Sequence, residues 1–557
     1  MATTGILRSR RSVAQLHALA GVEREIRAND NSSMRKYVRD FRDAYRSYER
    51  VLRDDGVRAR IGESGIVLIG DYHALPTSQR YLASLLRDPG LRGRPIALGL
   101  ETIFARDQHI VDEWQRGEID ECELRQRIRF DLDWGYDWAP FFDVLSAAQE
   151  QGAPIYGLDC MPREDLRKIG ARDRHAADKI VEMRRAHPDA LIFVLFGESH
   201  LAPQHLPCRL AERLEESGLK ADARSRTVLT VLQNVDALYW RAAGEASDCV
   251  EAVAVSPNVL CVFNATPLEK YENYRLCLDR WGRGDDSGPD LGPTIYNLID
   301  GLVRFLDINQ YSPHNSTQPR LLVDLMPEVY SRNSDALLRR LLSRKGFSAA
   351  QKRAMLHQVG ERGGAYLAPL NAFYVRKFEM LSATEDAARF LHHACRGLPD
   401  RVNGKRHELR GQQDAFFAAV LEHALACMGS RVLHPARAPF RDADLEELHD
   451  LTCEDLERQA GLKYPDVVDV IEFLSWYRHS SRTSRHASAD WTRALAFTGQ
   501  KWAYATERLG ALLGSDLYDA YLEGRLGPPA LRRLYLAHLE QPGEASEVYA
   551  NLHARLR

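Results

Sequence analysis

The stretch IVLIGDYH, residues 66–73, sets the expected fold of this chain. Its first half, Ile66–Ile69, is a short apolar run that follows Ser64-Gly65 and stops at Gly70. A short run that is apolar on both faces and bounded by turn residues is typical of a strand buried within a parallel sheet.

Five further runs share this pattern, and segments with helical spacing separate them. They are Ile96–Leu100, Ile155–Leu158, Leu191–Phe196, Thr227–Leu232 and Val259–Phe263. Strands that alternate with helices predict an α/β fold, with a mostly parallel sheet flanked by helices, over residues 61–275.

Other regions precede and follow this α/β domain. We predict an N-terminal helical arm over residues 1–60, because apolar residues recur at spacings of three and four within Met34–Leu52. The glycine-, proline- and aspartate-rich stretch Trp281–Pro293 predicts a linker. Residues 294–557 predict a large, mostly α-helical region, and the polar stretch Arg396–Gly411 is a candidate boundary between two helical subdomains.

Composition narrows the classes of function. The 557 residues include 75 Lys and Arg against 78 Asp and Glu, a net charge of −3, so no global electrostatic case for nucleic-acid binding exists. The longest apolar runs are too short to cross a bilayer, and the first residues lack the apolar core of a signal peptide. Nine cysteines are scattered singly, which does not indicate a disulfide framework. We therefore expect a cytoplasmic protein without a transmembrane segment or a nucleic-acid partner.

Polar side chains follow the predicted strands at the point where each strand ends. The first strand leads into Gly70–His73 and the fourth into Gly197–His200, two copies of the pattern G-[DE]-x-H, and Glu101 follows the second strand. Ligands of parallel sheets bind outside the carboxyl ends of the strands. We therefore expect one cleft to collect the side chains of Asp71, His73, Glu101, Glu198 and His200.

Two imidazoles and two or three carboxylates in one cleft support two kinds of chemistry. They can bind a borderline metal such as zinc, manganese or cobalt, with a remaining carboxylate as general base for a bound water. They can also activate water or a hydroxyl nucleophile without metal. A structural role, in which His73 and His200 hydrogen-bond across strand ends, is the remaining alternative.

The segment DLDWGYDW, residues 131–138, places three acidic and three large aromatic residues within eight positions. It predicts either a packing corner or a wall of the ligand pocket. In a pocket wall, the rings of Trp134, Tyr136 and Trp138 would bind a flat or apolar ligand such as a cofactor.

Five stretches, taken in order, resemble the ChaN-type haem-binding uptake family, part of the wider superfamily of Tiki, TraB and erythromycin-esterase-like proteins. They are IVLIGDYHALPTSQRYLASLL, ALGLETIFARDQHIVDEWQRGEID, WGYDW, GAPIYGLDCMPRE and FVLFGESHLAP. The resemblance covers roughly residues 64–266, somewhat under half of the chain.

The resemblance implies an α/β fold whose cleft is built by the two G-x-x-H motifs and the glutamate of the second strand. It implies that His73, Glu101 and His200 form the central catalytic or metal-binding set, accompanied by the carboxylates of Asp71 and Glu198. Tiki-like members suggest a metal-dependent peptidase, erythromycin-esterase-like members suggest water activation by a histidine and carboxylates, and ChaN suggests haem binding.

Three hypotheses follow for the function. The first is a metal-dependent hydrolase, peptidase- or esterase-like, acting on a small molecule or a peptide. The second is a haem- or iron-binding protein without catalysis, and the third is a non-catalytic interaction protein in which the helical half is the working part.

Overall fold

The structure of the chain is a computed structural model. It describes residues 2–30, 35–91, 93–160, 169–218, 227–245, 250–283, 289–308, 325–331, 335–344, 347–395, 411–435, 437–483, 494–537, 539 and 541–556. The chain divides into two compact units, which we call the α/β unit (Val22–Gly284) and the helical unit (Met1–Gly21 with Asp285–Arg557).

The α/β unit is built on an eight-stranded sheet. Its strands are β1 (Arg50–Leu52), β2 (Ile66–Asp71), β3 (Ile96–Phe104), β4 (Ile155–Asp159), β5 (Leu191–Gly197), β6 (Val228–Gln233), β7 (Ala252–Ser256) and β8 (Val259–Val262). Their order is β1-β7-β8-β6-β2-β5-β3-β4. The six strands from β8 to β4 pair in parallel and correspond to the six predicted runs, so the predicted α/β fold is confirmed.

Two strands at one end of the sheet, β7 and the edge strand β1, were not expected from the sequence. β7 pairs antiparallel with β8, and β1 pairs antiparallel with β7. The amphipathic helix predicted over Met34–Leu52 therefore ends early, at Ala44, because Arg50–Leu52 forms a sheet ladder with Ala252–Ala254 instead. Pairing with a distant strand overrides the helical spacing of its side chains.

Helices precede, connect and follow these strands, and most of the first helix belongs to the helical unit. They are α1 (Ala2–Asn29), α2 (Lys36–Ala44), α3 (Asp54–Glu63), α4 (Pro76–Leu86), α5 (Gln108–Gln115), α6 (Glu121–Arg127), α7 (Phe130–Asp133), α8 (Trp138–Glu150), α9 (Ile169–Ala186), α10 (Leu206–Glu216), α11 (Asp236–Glu245) and α12 (Pro267–Arg283). Trp281, which the sequence placed in a linker, belongs to α12, and its indole Nε1 donates a hydrogen bond to the Gly135 carbonyl at 2.9 Å.

The core of the α/β unit has two apolar layers, one on each face of the sheet. Val67 and Ile69 of β2 belong to the layer that contains residues of α4 and α8, whereas Ile66 and Leu68 belong to the layer that contains residues of α9 and α10. Successive strand residues point to opposite faces, so a strand covered on both sides must be apolar at every position. Because both faces of the strands are buried, the polar residues at the carboxyl ends of the strands are held in fixed positions.

The helical unit is mostly α-helical. Its further helices are α13 (Gly292–Leu306), α14 (Asp335–Arg344), α15 (Ala349–Arg362), α16 (Met380–Cys395), α17 (Gln412–Leu433), α18 (Asp442–Asp450), α19 (Cys453–Ala460), α20 (Tyr464–Thr483), α21 (Gly499–Leu522), α22 (Pro528–Tyr535) and α23 (Glu544–Leu556). A small sheet of β9 (Glu328–Tyr330), β10 (Gly364–Leu367) and β11 (Ala372–Val375), in the order β10-β11-β9, was not expected.

Helix α17 is the central helix of this unit and packs against α16 and α21. Among the described residues it is the one helix long and apolar enough to cross a bilayer, and 83% of its apolar window is buried inside the protein. Such burial is what the core helix of a helical domain shows.

Several boundaries stay predictions. Residues 284–288 of the predicted linker and 396–410 of the predicted subdomain boundary lie outside the described residues. The arm at 1–60, the domain limits at 61–275 and 294–557, and the cytoplasmic location likewise remain predictions.

Candidate functional site

Three neighbouring strands bring the two histidine motifs and Glu101 together. Strand β5 lies between β2 and β3, so the carboxyl ends of all three meet at one edge of the sheet. The His73 Nε2 atom lies 3.7 Å from Glu101 Oε2, and the His200 Nε2 atom lies 3.8 Å from Glu101 Oε1. Each imidazole therefore faces one oxygen of the same carboxylate, as the strand-end pattern predicts.

His73 is oriented by the aspartate of its own motif. Its Nδ1 atom lies 2.7 Å from Asp71 Oδ2, and the amide of Gln79 donates to the other oxygen of Asp71. An ionised carboxylate only accepts hydrogen bonds, so Nδ1 carries the proton and Nε2 of the neutral ring is an acceptor. The His73 side chain is 13% exposed, whereas the Asp71 side chain is 1% exposed.

His200 is oriented by a residue that the sequence did not single out. Its Nδ1 atom lies 2.6 Å from Oδ1 of Asp173 on α9, and the Tyr37 hydroxyl of α2 donates to Asp173 Oδ2. Burial and the nearby Asp173 charge raise the pKa of Tyr37, which keeps its hydroxyl protonated as a donor. Asp173 shares the buried face of α9 with Ala176, Ala177 and Ile180, a burial that the packed structure shows and the sequence does not.

Glu101 is held as an anion by a buried arginine. Arg172 Nη2 donates to Glu101 Oε1 at 2.6 Å and also binds Asp159 at 2.8 Å, while the Gly197 amide donates to Glu101 Oε2. Burial alone would raise the pKa of Glu101, but the charge of Arg172, the imidazoles of His200 and His73 when they are protonated, and the Gly197 amide outweigh burial and lower the pKa to about 2. Glu101 is therefore an electrostatic partner of the imidazoles and not a proton donor near neutral pH.

Glu198 does not take the role that Asp71 has in the first motif. Both of its oxygens accept hydrogen bonds from the Lys270 ammonium of α12, each at 3.0 Å. Lys270 also lies over the ring of Tyr72, 4.6 Å from its centroid. The carboxylate predicted to accompany His200 still lines the cleft, but a lysine neutralises it and Asp173 takes its place beside the imidazole.

The aromatic segment contributes two of its three predicted rings. The rings of Trp134 and Tyr136 lie 5.2 and 5.3 Å from the His73 ring, centroid to centroid, and both line the cleft. Trp138 does not line it, because it begins α8, packs against Phe130 at 4.9 Å and donates its Nε1 proton to Glu121 at 2.8 Å. Trp138 therefore does not border this cleft, and its role as a cofactor-binding ring stays a prediction.

The cleft has a volume of about 610 Å³. Its floor is formed by the strand-end residues, and its walls by α2, α12 and the Trp134–Tyr136 segment. At the floor, a Cβ atom on Gly197 would lie 3.0 Å from Glu101 Oε2 and 3.5 Å from both His73 Nε2 and His200 Cδ2. The two imidazoles and the carboxylate thus converge on a space that a single methyl group would fill.

The structure does not support the predicted metal site. Among the described residues, no group of three or more His, Cys, Asp or Glu side chains is placed to hold a metal ion. The physical reason lies in Arg172, whose guanidinium is 2.6 Å from Glu101 Oε1 and already supplies the positive charge that a cation would bring. The metal-ligand roles predicted for His73, Glu101 and His200 therefore lack support.

A larger cavity, about 750 Å³, lies in the helical unit. It borders Glu385, a buried carboxylate that binds Arg362 and Arg389 at 2.8 Å and Arg437 at 3.0 Å. Three guanidinium groups surround this carboxylate and neutralise its charge. Because the cleft in the α/β unit presents imidazoles with accepting Nε2 atoms, we take the smaller cavity as the candidate site.

Comparisons with known proteins agree with the resemblance. A protein-family model described as "Haem-binding uptake, Tiki superfamily, ChaN" matches residues 57–192, which confirms the resemblance over that range. The match includes Asp71, His73 and Glu101 and ends before Glu198 and His200. No curated protein matches the sequence.

Among solved structures, a similar one is described as "Cofacial heme binding to ChaN of Campylobacter jejuni". It is 12% identical, with a TM-score of 0.24, and the alignment covers 33% of this chain and 86% of that chain.

Proposed function

We propose that the α/β unit binds haem in the cleft above Glu101. The observation that carries this proposal is His73, an imidazole held by a buried carboxylate and bordered by two aromatic rings, within the region that matches a haem-binding family. The proposal corresponds to the second of the three hypotheses drawn from the sequence.

The residues of the cleft fit such a ligand. Histidine is a common axial ligand of haem iron, and ligating histidines usually donate their other ring N–H to a carboxylate or carbonyl, as His73 does to Asp71. The rings of Trp134 and Tyr136 suit the flat, apolar face of a macrocycle, and a volume of about 610 Å³ is within the range of cofactor sites. His73 would hold the iron, and bound haem would supply a redox-active centre.

A haem titration followed by absorbance tests the proposal. The wild-type protein should give a saturable, stoichiometric Soret change, and His73→Ala should lose or strongly shift it. His187→Ala is the matched control, because His187 binds Tyr156 at 2.7 Å and does not line the cleft. A wild type without a saturable change, or a His73→Ala variant that binds like the wild type, would overturn the proposal.

A second candidate is acid–base catalysis of hydrolysis by the two histidines without a resident metal. It is favoured by the two carboxylate-held imidazoles on either side of Glu101. One neutral ring accepts a proton from water through Nε2, while the other, protonated, donates one to the leaving group. The ionised Glu101 stabilises whichever ring carries the positive charge. A small ester is the substrate class to test first.

The test is the hydrolysis of p-nitrophenyl acetate by protein treated with EDTA. His73→Ala and His200→Ala should each lower the rate by about 100-fold or more, the range typical for a lost general acid or base. His187→Ala should leave the rate unchanged. Activity that disappears with EDTA would refute the metal-free mechanism, and activity that persists in both cleft variants would place the reaction elsewhere.

A further inference from the structure

Helix α2 forms a wall of the cleft and is fixed in place by contacts with the site. Besides the bond from Tyr37 to Asp173, the Tyr45 hydroxyl that follows α2 donates to the Leu201 carbonyl at 2.6 Å. His205 stacks on Tyr37 with ring centroids 3.7 Å apart and bonds Asp40 of α2 at 3.1 Å. These contacts hold the wall against the turn that carries His200.

Two arginines of this wall face the cleft without a partner of opposite charge. Arg35 and Arg42 are exposed and line the cleft, and among the described residues neither forms an ion pair. Arg35 directly precedes α2 in an extended backbone conformation, Arg42 lies in the last turn of α2, and both border the same cleft. Arg46, by contrast, binds Asp43.

The remaining charged residues of the cleft already have partners. Arg172 binds Glu101 and Asp159, and Lys270 binds Glu198. Asp30 and Asp236 each accept a hydrogen bond from a tyrosine hydroxyl of α12, at 2.7 and 2.6 Å. The cleft is thus aromatic beside His73 and carries free positive charge along α2.

We propose that the ligand of this cleft is an aromatic anion whose acidic groups bind Arg35 and Arg42. The inference rests on the proposed haem function and deepens it, since haem would place its two propionate groups against α2 and its ring beside His73. Guanidinium groups bind carboxylates in paired, charge-assisted hydrogen bonds, which are stronger than bonds between neutral groups. Both arginines lie before residue 57, outside the range of the family match.

The experiment compares ligands that differ in charge and proteins that differ in one arginine. Binding of haem and of its dimethyl ester is measured by absorbance, and binding of anilinonaphthalene sulfonate and of uncharged N-phenylnaphthylamine by fluorescence. The proteins are the wild type, Arg35→Gln, Arg42→Gln and Arg39→Gln. The last is the matched control, since Arg39 is an exposed arginine of the same helix that does not line the cleft.

The wild type should bind each anion about tenfold more tightly than its uncharged analogue at low salt. Arg35→Gln and Arg42→Gln should reduce that preference several-fold, and Arg39→Gln should not. Equal affinity for charged and uncharged ligands, or equal losses in all three variants, would overturn the inference while leaving haem binding intact. A protein that does not bind haem but keeps the α2-dependent preference for the sulfonate would instead refute the haem proposal alone.

Discussion

The motifs Gly70–His73 and Gly197–His200 have the same sequence pattern, but their acidic residues and histidines have different hydrogen-bond partners. In the first, the acidic residue binds the histidine of its own motif. In the second, the acidic residue binds Lys270, and the histidine receives its carboxylate from Asp173, 27 positions earlier.

The difference follows from backbone conformation. Asp71 is the last residue of β2 and His73 lies in the turn directly after it, where the Asp71 carboxylate and the His73 imidazole meet at 2.7 Å. Glu198–Leu201 forms a turn of 3₁₀ helix, in which residues two apart lie about 240° apart around the axis. Glu198 and His200 therefore point to different sides. A shared sequence pattern thus specifies a common place in the fold without specifying common partners.

The largest expected effect concerns Arg172, on which both motifs depend through Glu101. Arg172→Met leaves the buried carboxylates of Glu101 and Asp159 without their cation, and breaking a buried ion pair costs about 3–5 kcal/mol. The exposed Arg174 on the same helix is the matched control, and Arg174→Met should change the free energy of unfolding by less than about 0.5 kcal/mol. Urea unfolding measures the free energy of unfolding of both variants. Similar losses in the two would show that the motifs do not depend on Arg172.

Acid should remove the contribution of Glu101 to stability. The pKa of Glu101 is about 2 in the folded protein, lowered from its ordinary 4.5, so the ionised carboxylate stabilises the fold above about pH 4.5 and less as pH falls towards 2. The full contribution is on the order of 3 kcal/mol. The difference in unfolding free energy between the wild type and Glu101→Gln should therefore narrow below pH 4.5. A constant difference from pH 7 to pH 3 would contradict the ionised state assigned to Glu101.

Three carboxylate substitutions test which carboxylate orients each imidazole. Asp71→Asn and Asp173→Asn each remove the group that orients an imidazole, and such losses typically reduce affinity or activity 10- to 100-fold. Asp71→Asn should weaken haem binding, and both variants should slow ester hydrolysis. Glu198→Gln, although it alters the same motif position as Asp71→Asn, should leave the hydrolysis rate within a few-fold of the wild type. If Glu198→Gln behaves like Asp71→Asn, the two motifs are equivalent after all.

The smallest effect is expected at Tyr37, which donates a hydrogen bond to the aspartate that orients His200. Tyr37→Phe deletes one hydrogen bond to Asp173 and should cost about 1 kcal/mol of unfolding free energy. Tyr48→Phe is a suitable control, because the Tyr48 hydroxyl bonds the exposed Glu245 at 3.0 Å. Equal melting temperatures for Tyr37→Phe and Tyr48→Phe would show that the hydrogen bond from Tyr37 to Asp173 does not stabilise the fold.

The sequence predicted the features that depend on burial and strand ends. Runs apolar at every position identified the six parallel strands, and their polar exits identified His73, Glu101 and His200. The sequence did not indicate β1, because three residues with helical spacing form a strand only through contact with β7. It did not indicate Arg172 and Asp173 either, because charged residues on a helix are ordinarily solvated and only the packed structure shows these two to be buried.

The close approach at Gly197 has a consequence for sorting related sequences. A chain that reads Ala-Glu-Ser-His at this position would keep both histidines and the glutamate and would pass a motif search. Its extra methyl group would nevertheless lie 3.0 Å from the carboxylate and 3.5 Å from both rings, and would fill the space on which the three side chains converge. The glycine, more than either histidine, is therefore the residue to check before a relative is assigned a working cleft, and Gly197→Ala is the substitution that would make a folded, inactive reference protein.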